Sequence, residues 1–354
     1  MPRKPQTVSV NVTNKDSIYV GLDVHKKSIH VAVWMNGSII ASWVAGGDGA
    51  AVVEQLQAYK PAIRMVAYEA GPTGFALARA LQAQKIKVMV CAPSKMPCAP
   101  GVEAKCDRLD AKKLAEYAAK GLLAAVAVPS ESEENERALV RHRDHLGKKG
   151  RRAKQQIKSL LLFHQIGELQ SWSQEERNRV MSGELPAELR LVLESLFREI
   201  TFYESEMKRV VAELGNILKQ KHSSASCILQ SHPGVGKIIS AHFVLELFRP
   251  HRFKSGDAVA RYIGLAPRVR QSGQTRRGGP LMKSGQEKLR SLLIESAWRW
   301  RALDPGAQIV YARLLRNTGN GCKAIVGLAR RLAIRLWTMW IRGTPYIPAD
   351  PTSL

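Results

Sequence analysis

Twice within its first forty residues the chain alternates apolar and polar side chains with a period of two, at Ile18, Val20 and Leu22 and again at Ile29, Val31 and Val33. The turn Asn36-Gly37 then leads into Ser38-Ile39-Ile40-Ala41. Two is the strand period, because successive side chains leave opposite faces of a sheet, and Asn-Gly supplies the positive-φ corner of a tight hairpin. An antiparallel meander of three strands from Ser17 onward is therefore predicted. Beyond it the period changes back and forth: an amphipathic helix over 49–59, an apolar strand over 64–68, a helix over 74–83 and a strand over 87–91.

Three antiparallel strands followed by alternating helices and strands is the element order of an α/β, RNase H-like fold. The 354 residues exceed what one compact core usually organises, so further domains are expected. The reading is a disordered polar lead-in over 1–16, the α/β domain over 17–130, a helical connector over 131–222, a mainly α-helical C-terminal domain over 223–345 and a tail over 346–354. Lys and Arg number 54 against 30 Asp and Glu, a net charge of +24 that exceeds what solubility needs and predicts a nucleic-acid partner. The five cysteines show no paired C-x-x-C spacing, which argues against a disulfide framework or a zinc knuckle and for a reducing compartment. No apolar run is long enough to span a membrane, and Lys15 and Asp16 stand where an export signal would be apolar, so a cytoplasmic protein without a membrane partner is expected.

Acidic residues fall at telling places. Asp23 closes the first strand in Gly21-Leu22-Asp23-Val24-His25-Lys26, and Glu69 closes the fourth in Ala67-Tyr68-Glu69-Ala70-Gly71. Asp107 and Asp110 open a helix predicted to run to Lys120, spaced i, i+3 and so on one face. Carboxylates at the ends of neighbouring strands converge on one edge, and hard oxygen ligands in that number suit one or two Mg²⁺ ions able to stabilise the oxygens of a phosphate displacement. Taken singly, each acid has a plainer explanation: Asp107 as a helix-start acid, Asp110 as an exposed helix residue, Glu69 as a strand end before Gly71-Pro72.

The middle of the chain opens on the acidic run 131–136 and becomes densely basic, with Arg141, Arg143, Lys148, Lys149, Arg151, Arg152, Lys154 and Lys158 against Asp144. This is either a solvated helix face or a phosphate-contact surface for nucleic acid, DNA or RNA. Leu189, Leu193, Leu196, Ile200, Tyr203, Met207, Val210, Leu214 and Ile217 then alternate steps of four and three, a coiled-coil seam that needs a partner. The partner is a second protomer, the preferred reading, or the basic helix of the same chain.

His232-Pro233-Gly234-Val235-Gly236-Lys237, between two apolar helical stretches, has the form of a helix-hairpin-helix turn. Gly234 and Gly236 would allow positive φ and bring backbone N–H groups to a phosphate beside Lys237; a simple tight turn is the alternative. A second basic stretch holds Arg268, Arg270, Arg276, Arg277 and Lys283, and its Gly-, Ser- and Thr-rich centre predicts a mobile loop. Ser272, followed by Gly273, is the candidate nucleophile there, with Ser284 the runner-up; composition alone would leave Ser272 an ordinary loop serine. A serine hydroxyl needs a base or metal to activate it and cations to stabilise the pentavalent phosphate. The segment 321–342 reads as an amphipathic helix, and Trp298 and Trp300 as core or interface residues.

Gly21-Leu22-Asp23-Val24-His25-Lys26, Tyr68-Glu69-Ala70-Gly71-Pro72-Thr73-Gly74 and Asp107-Arg108-Leu109-Asp110-Ala111 resemble the three N-terminal motifs of the insertion sequence 110 family of transposases. The stretch from Leu229 through Tyr262-Ile263-Gly264-Leu265-Ala266-Pro267, Gln271-Ser272-Gly273 and Lys283-Ser284-Gly285 to Arg290 resembles that family's C-terminal domain. Cys106 and Leu109 depart from the commoner residues without removing a carboxylate. The resemblance implies a RuvC-like domain whose Asp23, Glu69, Asp107 and Asp110 form a Mg²⁺-binding tetrad, and a Ser272 that becomes joined to DNA. It also implies donor and target DNA selected by a structured bridge RNA, and a homo-oligomer, dimer or tetramer, with tetrad and serine drawn from different protomers.

Three other activities fit parts of the pattern. A Holliday-junction resolvase or nuclease would use the same acids with water as nucleophile, and a nucleic-acid scaffold would use the charge alone. A sugar-kinase-type ATPase is disfavoured, because Asp23-Val24-His25-Lys26-Lys27-Ser28 lacks the glycine of a phosphate-cradling turn.

Overall fold

The computed structural model describes residues 6–7, 12–13, 15–93, 107–272, 275–281 and 285–348; the side chains of 6–7, 107–109, 268–278 and 280 lie outside the description. The chain forms two compact units, Met1–Ser130 and Glu131–Leu354.

In the first unit, β1 (Gln6–Thr7), β2 (Ile18–Val24), β3 (Ser28–Met35) and β4 (Ser38–Gly46) precede α1 (Gly49–Gln55), which runs into a 3₁₀ turn. Then follow β5 (Ile63–Glu69), α2 (Ala76–Ala83), β6 (Val88–Cys91), α3 (Asp107–Ala119) and β7 (Ala125–Val126). One sheet orders them β1-β4-β3-β2-β5-β6-β7, with β2, β5 and β6 parallel and the rest antiparallel. The meander forms where the alternation predicts it. The lead-in, expected to be disordered, supplies β1 at the sheet edge, paired through Gln6 and Thr7 to Ser42 and Ala41.

Each strand of the sheet centre has two buried faces of different character. Ile18, Val20 and Leu22 of β2, Ile29, Val31 and Val33 of β3, and Val66 and Tyr68 of β5 share a core with Val52, Leu56, Leu77 and Leu81 from α1, the turn after it and α2. The opposite face is made of small residues, Gly21, Ala32 and Ala67, in register with one another. There α3 lies on β2, β3 and β5 through its buried Ala111, Leu114 and Ala115. Gly21 is required by this approach: a Cβ at that position would sit 1.9 Å from the Ala111 carbonyl oxygen and 2.5 Å from the Ala115 nitrogen.

The second unit contains α4 (Glu131–Phe163), α5 (Gln174–Ser182), α6 (Ala187–Lys221), α7 (Ser223–Gln230), α8 (Lys237–Leu247) and α9 (Gly256–Ile263). The strands β8 (Pro267–Ser272) and β9 (Thr275–Leu281) and the helices α10 (Glu287–Leu303), α11 (Pro305–Thr318) and α12 (Gly321–Arg342) complete it. The heptad seam of α6 is covered by α4 of the same chain, which overturns the preferred expectation of a partner protomer there. Leu189, Leu193, Leu196 and Ile200 pack with Ala153, Ile157 and Leu161 at the far end of α4. Val210 and Leu214 pack with Val140 and Leu146 at its start, so the two helices run antiparallel. The same core holds Phe243, Val259, Leu293, Leu328 and Leu336, so the expected connector and C-terminal domain are continuous. Tyr346, expected at the start of a tail, is held by hydrogen bonds to Ser231 and Asp304.

Candidate active site

Strand parity and register assemble the acidic edge of the first unit. Asp23 and Gly21 leave β2 on the face that α3 covers, and Leu22 pairs with Tyr68 of β5. The next positions, Asp23 and Glu69, therefore stand side by side at the carboxyl ends of two parallel strands. Asp107 is the first residue of α3 and Asp110 lies one turn on, immediately before the Ala111 that rests on Gly21. Asp23 is partly exposed, with 21% of its side chain open, and its Oδ2 lies 3.0 Å from Nε2 of His25. Glu69 is exposed, Asp110 half-buried, and the Asp107 side chain lies outside the description. Among the described residues no three His, Cys, Asp or Glu side chains come together as a ready metal cage.

Sequence reasoning passed over two residues of this edge, His25 and His30. His30 pairs with Asp23 across β2 and β3, and its ring meets that of His25 edge-on at 6.3 Å between centroids. The signal was present in the period of two, which carries His25 to the side of Asp23. Cys91, paired with Glu69, is buried, and burial together with the Glu69 charge pushes its thiol up to about 11, so it stays protonated.

In the second unit Ser272 is the last residue of β8, paired with Thr275 of β9, so the segment predicted as a mobile loop is a two-stranded ribbon with the serine at its end. Six residues at about 3.3 Å each extend β8 over roughly 20 Å. Its foot is fixed at the end of α9, where a Cβ on Gly285 would lie 2.8 Å from the Tyr262 carbonyl oxygen and 2.9 Å from the Gly264 nitrogen. Arg268 and Arg270 lie on β8, Arg276 and Arg277 on β9, and Arg270 stands opposite Arg277. Lys283 and Ser284 fall outside the described residues.

The basic helix divides into two sets. Arg141 is bound to Glu246 by two hydrogen bonds of 2.7 and 2.9 Å, Lys154 to Glu204 at 2.8 Å, and Arg143 to Asp144 at 3.2 Å. Of these three, all predicted as phosphate contacts, Arg141 ties α4 to α8 and Lys154 ties α4 to α6, while Arg143 pairs with its own neighbour on α4. Lys148, Lys149, Arg151 and Arg152 are exposed.

In the turn after α7 one of the two glycines takes the expected positive φ. Gly234 has φ +85°, and a Cβ there would meet the Ser296 carbonyl oxygen at 2.9 Å, so this glycine serves packing on α10. Gly236 is extended and does not need positive φ; it and Lys237 are exposed at the start of α8. Beneath the turn, the buried His232 ring lies between Trp300 and Tyr346, and burial pushes its pKa down to about 4. The unfolded ring takes its proton near pH 6.5, so acidification between those values favours the unfolded chain. Stability from the neutral ring is full above pH 6.5 and is lost towards pH 4, by up to about 3 kcal/mol. Urea titrations at pH 7 and pH 4.5 should show a gap that shrinks by about 2 kcal/mol in His232→Phe; an unchanged gap would acquit the imidazole.

Residues 20–165 match the model of the DEDD transposases of IS110, and residues 226–312 match the model of the transposase IS116/IS110/IS902 family. A putative transposase of Sinorhizobium fredii, y4qE, is 31% identical over 297 residues, 80% of this chain and 72% of the relative. The transposase for insertion sequence element IS1533 of Leptospira borgpetersenii is 25% identical over 338 residues, 91% of this chain and 95% of the relative. The transposase for insertion sequence element IS1111A of Coxiella burnetii is 26% identical over 255 residues, 68% of each chain. Both matched regions, in this order along one polypeptide, and relatives aligned over most of their length make the chain a member of the IS110 family of transposases.

Proposed function

We propose that this transposase cuts and rejoins DNA by attack of Ser272 on a backbone phosphate, with Asp23, Glu69, Asp107 and Asp110 as the metal-binding tetrad. The observation that carries the reading is the register of β2 against β5, which sets Asp23 beside Glu69 on the face where Gly21 admits the α3 backbone. The donor set fits a divalent ion: carboxylate oxygens at two parallel strand ends and one helix start, accessible to solvent at Asp23. Mg²⁺ held there would supply Lewis-acid stabilisation of the phosphate oxygens.

Ser272 Oγ gives up its proton and bonds to phosphorus while a backbone oxygen leaves and takes up a proton to become a hydroxyl, so one phosphate ester replaces another and rejoining needs no external energy source. The arginines of the ribbon neutralise the phosphate as charge builds on it. Lys148, Lys149, Arg151, Arg152 and Lys237 hold nucleic acid by its backbone, which carries no sequence information, so site choice falls to base pairing with a guide RNA. The serine at the end of a long ribbon suits delivery to the tetrad of another protomer in a dimer or tetramer.

Trapping with end-labelled element DNA tests this. The wild-type chain should yield a covalent protein–DNA adduct, lost in Ser272→Ala and in Asp23→Asn while both variants still bind DNA. Cleavage that persists in Ser272→Ala and leaves free phosphate and hydroxyl ends would make water the nucleophile and the chain a nuclease.

A further inference from the structure

The pair Asp23–His25 carries a consequence beyond the four acids. His25 lies just past the end of β2, where its N–H donates to the Ser28 carbonyl at 2.9 Å and closes the turn into β3. That turn brings Nε2 back to 3.0 Å from Asp23 Oδ2 on the exposed lip of the acidic edge, with 46% of the His25 side chain and 21% of the Asp23 side chain open to solvent. The His30 ring stands edge-on to it at 6.3 Å, from the strand position paired with Asp23.

A separation of 3.0 Å has two meanings. It is a hydrogen-bond length, and it is also the edge of an octahedron whose ligands lie about 2.1 Å from a central ion. A purely orienting histidine would have no need to face solvent, whereas a ligand must be reachable by a hydrated ion. The imidazole also differs from its neighbours as a donor. Carboxylates favour Mg²⁺ and Mn²⁺ alike, while a ring nitrogen adds affinity for the transition ion and little for Mg²⁺, which holds nitrogen poorly and gives up water reluctantly.

We propose that His25 is a nitrogen ligand of the divalent ion at this edge, through Nε2, and that it shifts the site's preference towards Mn²⁺. The inference rests on the tetrad reading above. Ligation through Nε2 leaves the ring proton on Nδ1, so the contact to Asp23 gives way to a shared ion when metal enters.

Electron spin-echo modulation of the full-length chain loaded with MnCl₂ alone reads this without any turnover. The wild type should bind Mn²⁺ with a ¹⁴N modulation from a coordinated imidazole. His25→Ala should keep the bound ion, lose the modulation and bind Mn²⁺ about tenfold more weakly, with Mg²⁺ affinity in competition changed less than about twofold. His25→Gln retains a hydrogen-bond donor towards Asp23 but no ring nitrogen, and should behave as His25→Ala. Wild-type Mn²⁺ bound without nitrogen modulation, modulation that survives in His25→Ala, or full Mn²⁺ affinity in His25→Gln would each overturn the proposal and leave the tetrad standing. Mn²⁺ binding indifferent to Asp23→Asn and Glu69→Gln would instead remove the tetrad, and His25 with it.

Discussion

Gly21→Val is expected to destabilise the first unit by at least about 3 kcal/mol and to reduce strand cleavage about a hundredfold or more in the fraction that still folds. The added Cβ would fall 1.9 Å from the Ala111 carbonyl oxygen, a helix backbone atom that cannot swing aside, so α3 must move bodily off β2. That movement opens the contacts of Ala111, Leu114 and Ala115 with the small-residue face and carries Asp110 away from Asp23, coupling a packing defect to the chemistry. Gly46→Ala is the control, because a Cβ there meets nothing within 4 Å, and its effect should stay within about 0.5 kcal/mol. Hydrogen exchange over peptides from β2 and α3 reads this unit separately from the second one. Wild-type protection of both elements in Gly21→Val would show that α3 does not rest on this strand, and the tetrad would lose its geometric basis.

Gly21 also marks the border between what the sequence discloses and what it withholds. The positions of Asp23 and Glu69 at strand ends follow from the alternation of Ile18, Val20 and Leu22 and the apolar run before Glu69, since parity and chain direction are local properties. Which helix covers Gly21 is not local. A glycine in a strand signals a close approach of something, but the approaching backbone belongs to residue 111, some ninety positions on, and no pattern names it. The seam of α6 is the same case: its period was legible, its partner was not, because an antiparallel helix of the same chain and a second protomer satisfy the same stripe. The ribbon bearing Ser272 escaped for a different reason. Arg, Gly and Pro dominate β8 and β9, residues of low strand preference, and only the pairing of the two strands with each other makes them strands. His25 was visible beside Asp23, yet its ring contact depends on a turn whose closure at Ser28 appears only in the fold.

The basic helix α4 shows how far charge alone misleads, and it supplies a prediction of opposite sign for neighbouring cations. Arg141 and Lys149 are two turns apart in a run that reads as one uniform surface, but Glu246, some hundred positions away on α8, selects between them. Glu246 is 4% exposed and accepts both guanidinium bonds of Arg141, with Arg137 Nε 3.4 Å from its Oε2. The hydrogen bonds to Glu246 hold the Arg141 pKa above its ordinary value against the opposing effect of burial. Breaking a buried pair from one side leaves the other charge uncompensated, so Glu246→Ala should cost about 3–5 kcal/mol by stranding two guanidiniums. Arg141→Ala should cost less, about 2 kcal/mol, because its own side chain is half-exposed and Arg137 remains beside the carboxylate. Neither change should alter how steeply nucleic-acid affinity falls with salt. Lys149→Ala should do the reverse: melting unchanged within about 0.5 kcal/mol, and the slope of log affinity against log salt smaller by about one phosphate contact. Melting curves and salt titrations on the three variants separate the roles. An Arg141→Ala chain that melts like the wild type and loses a unit of salt slope would return that arginine to the nucleic acid and leave Glu246 without a structural task.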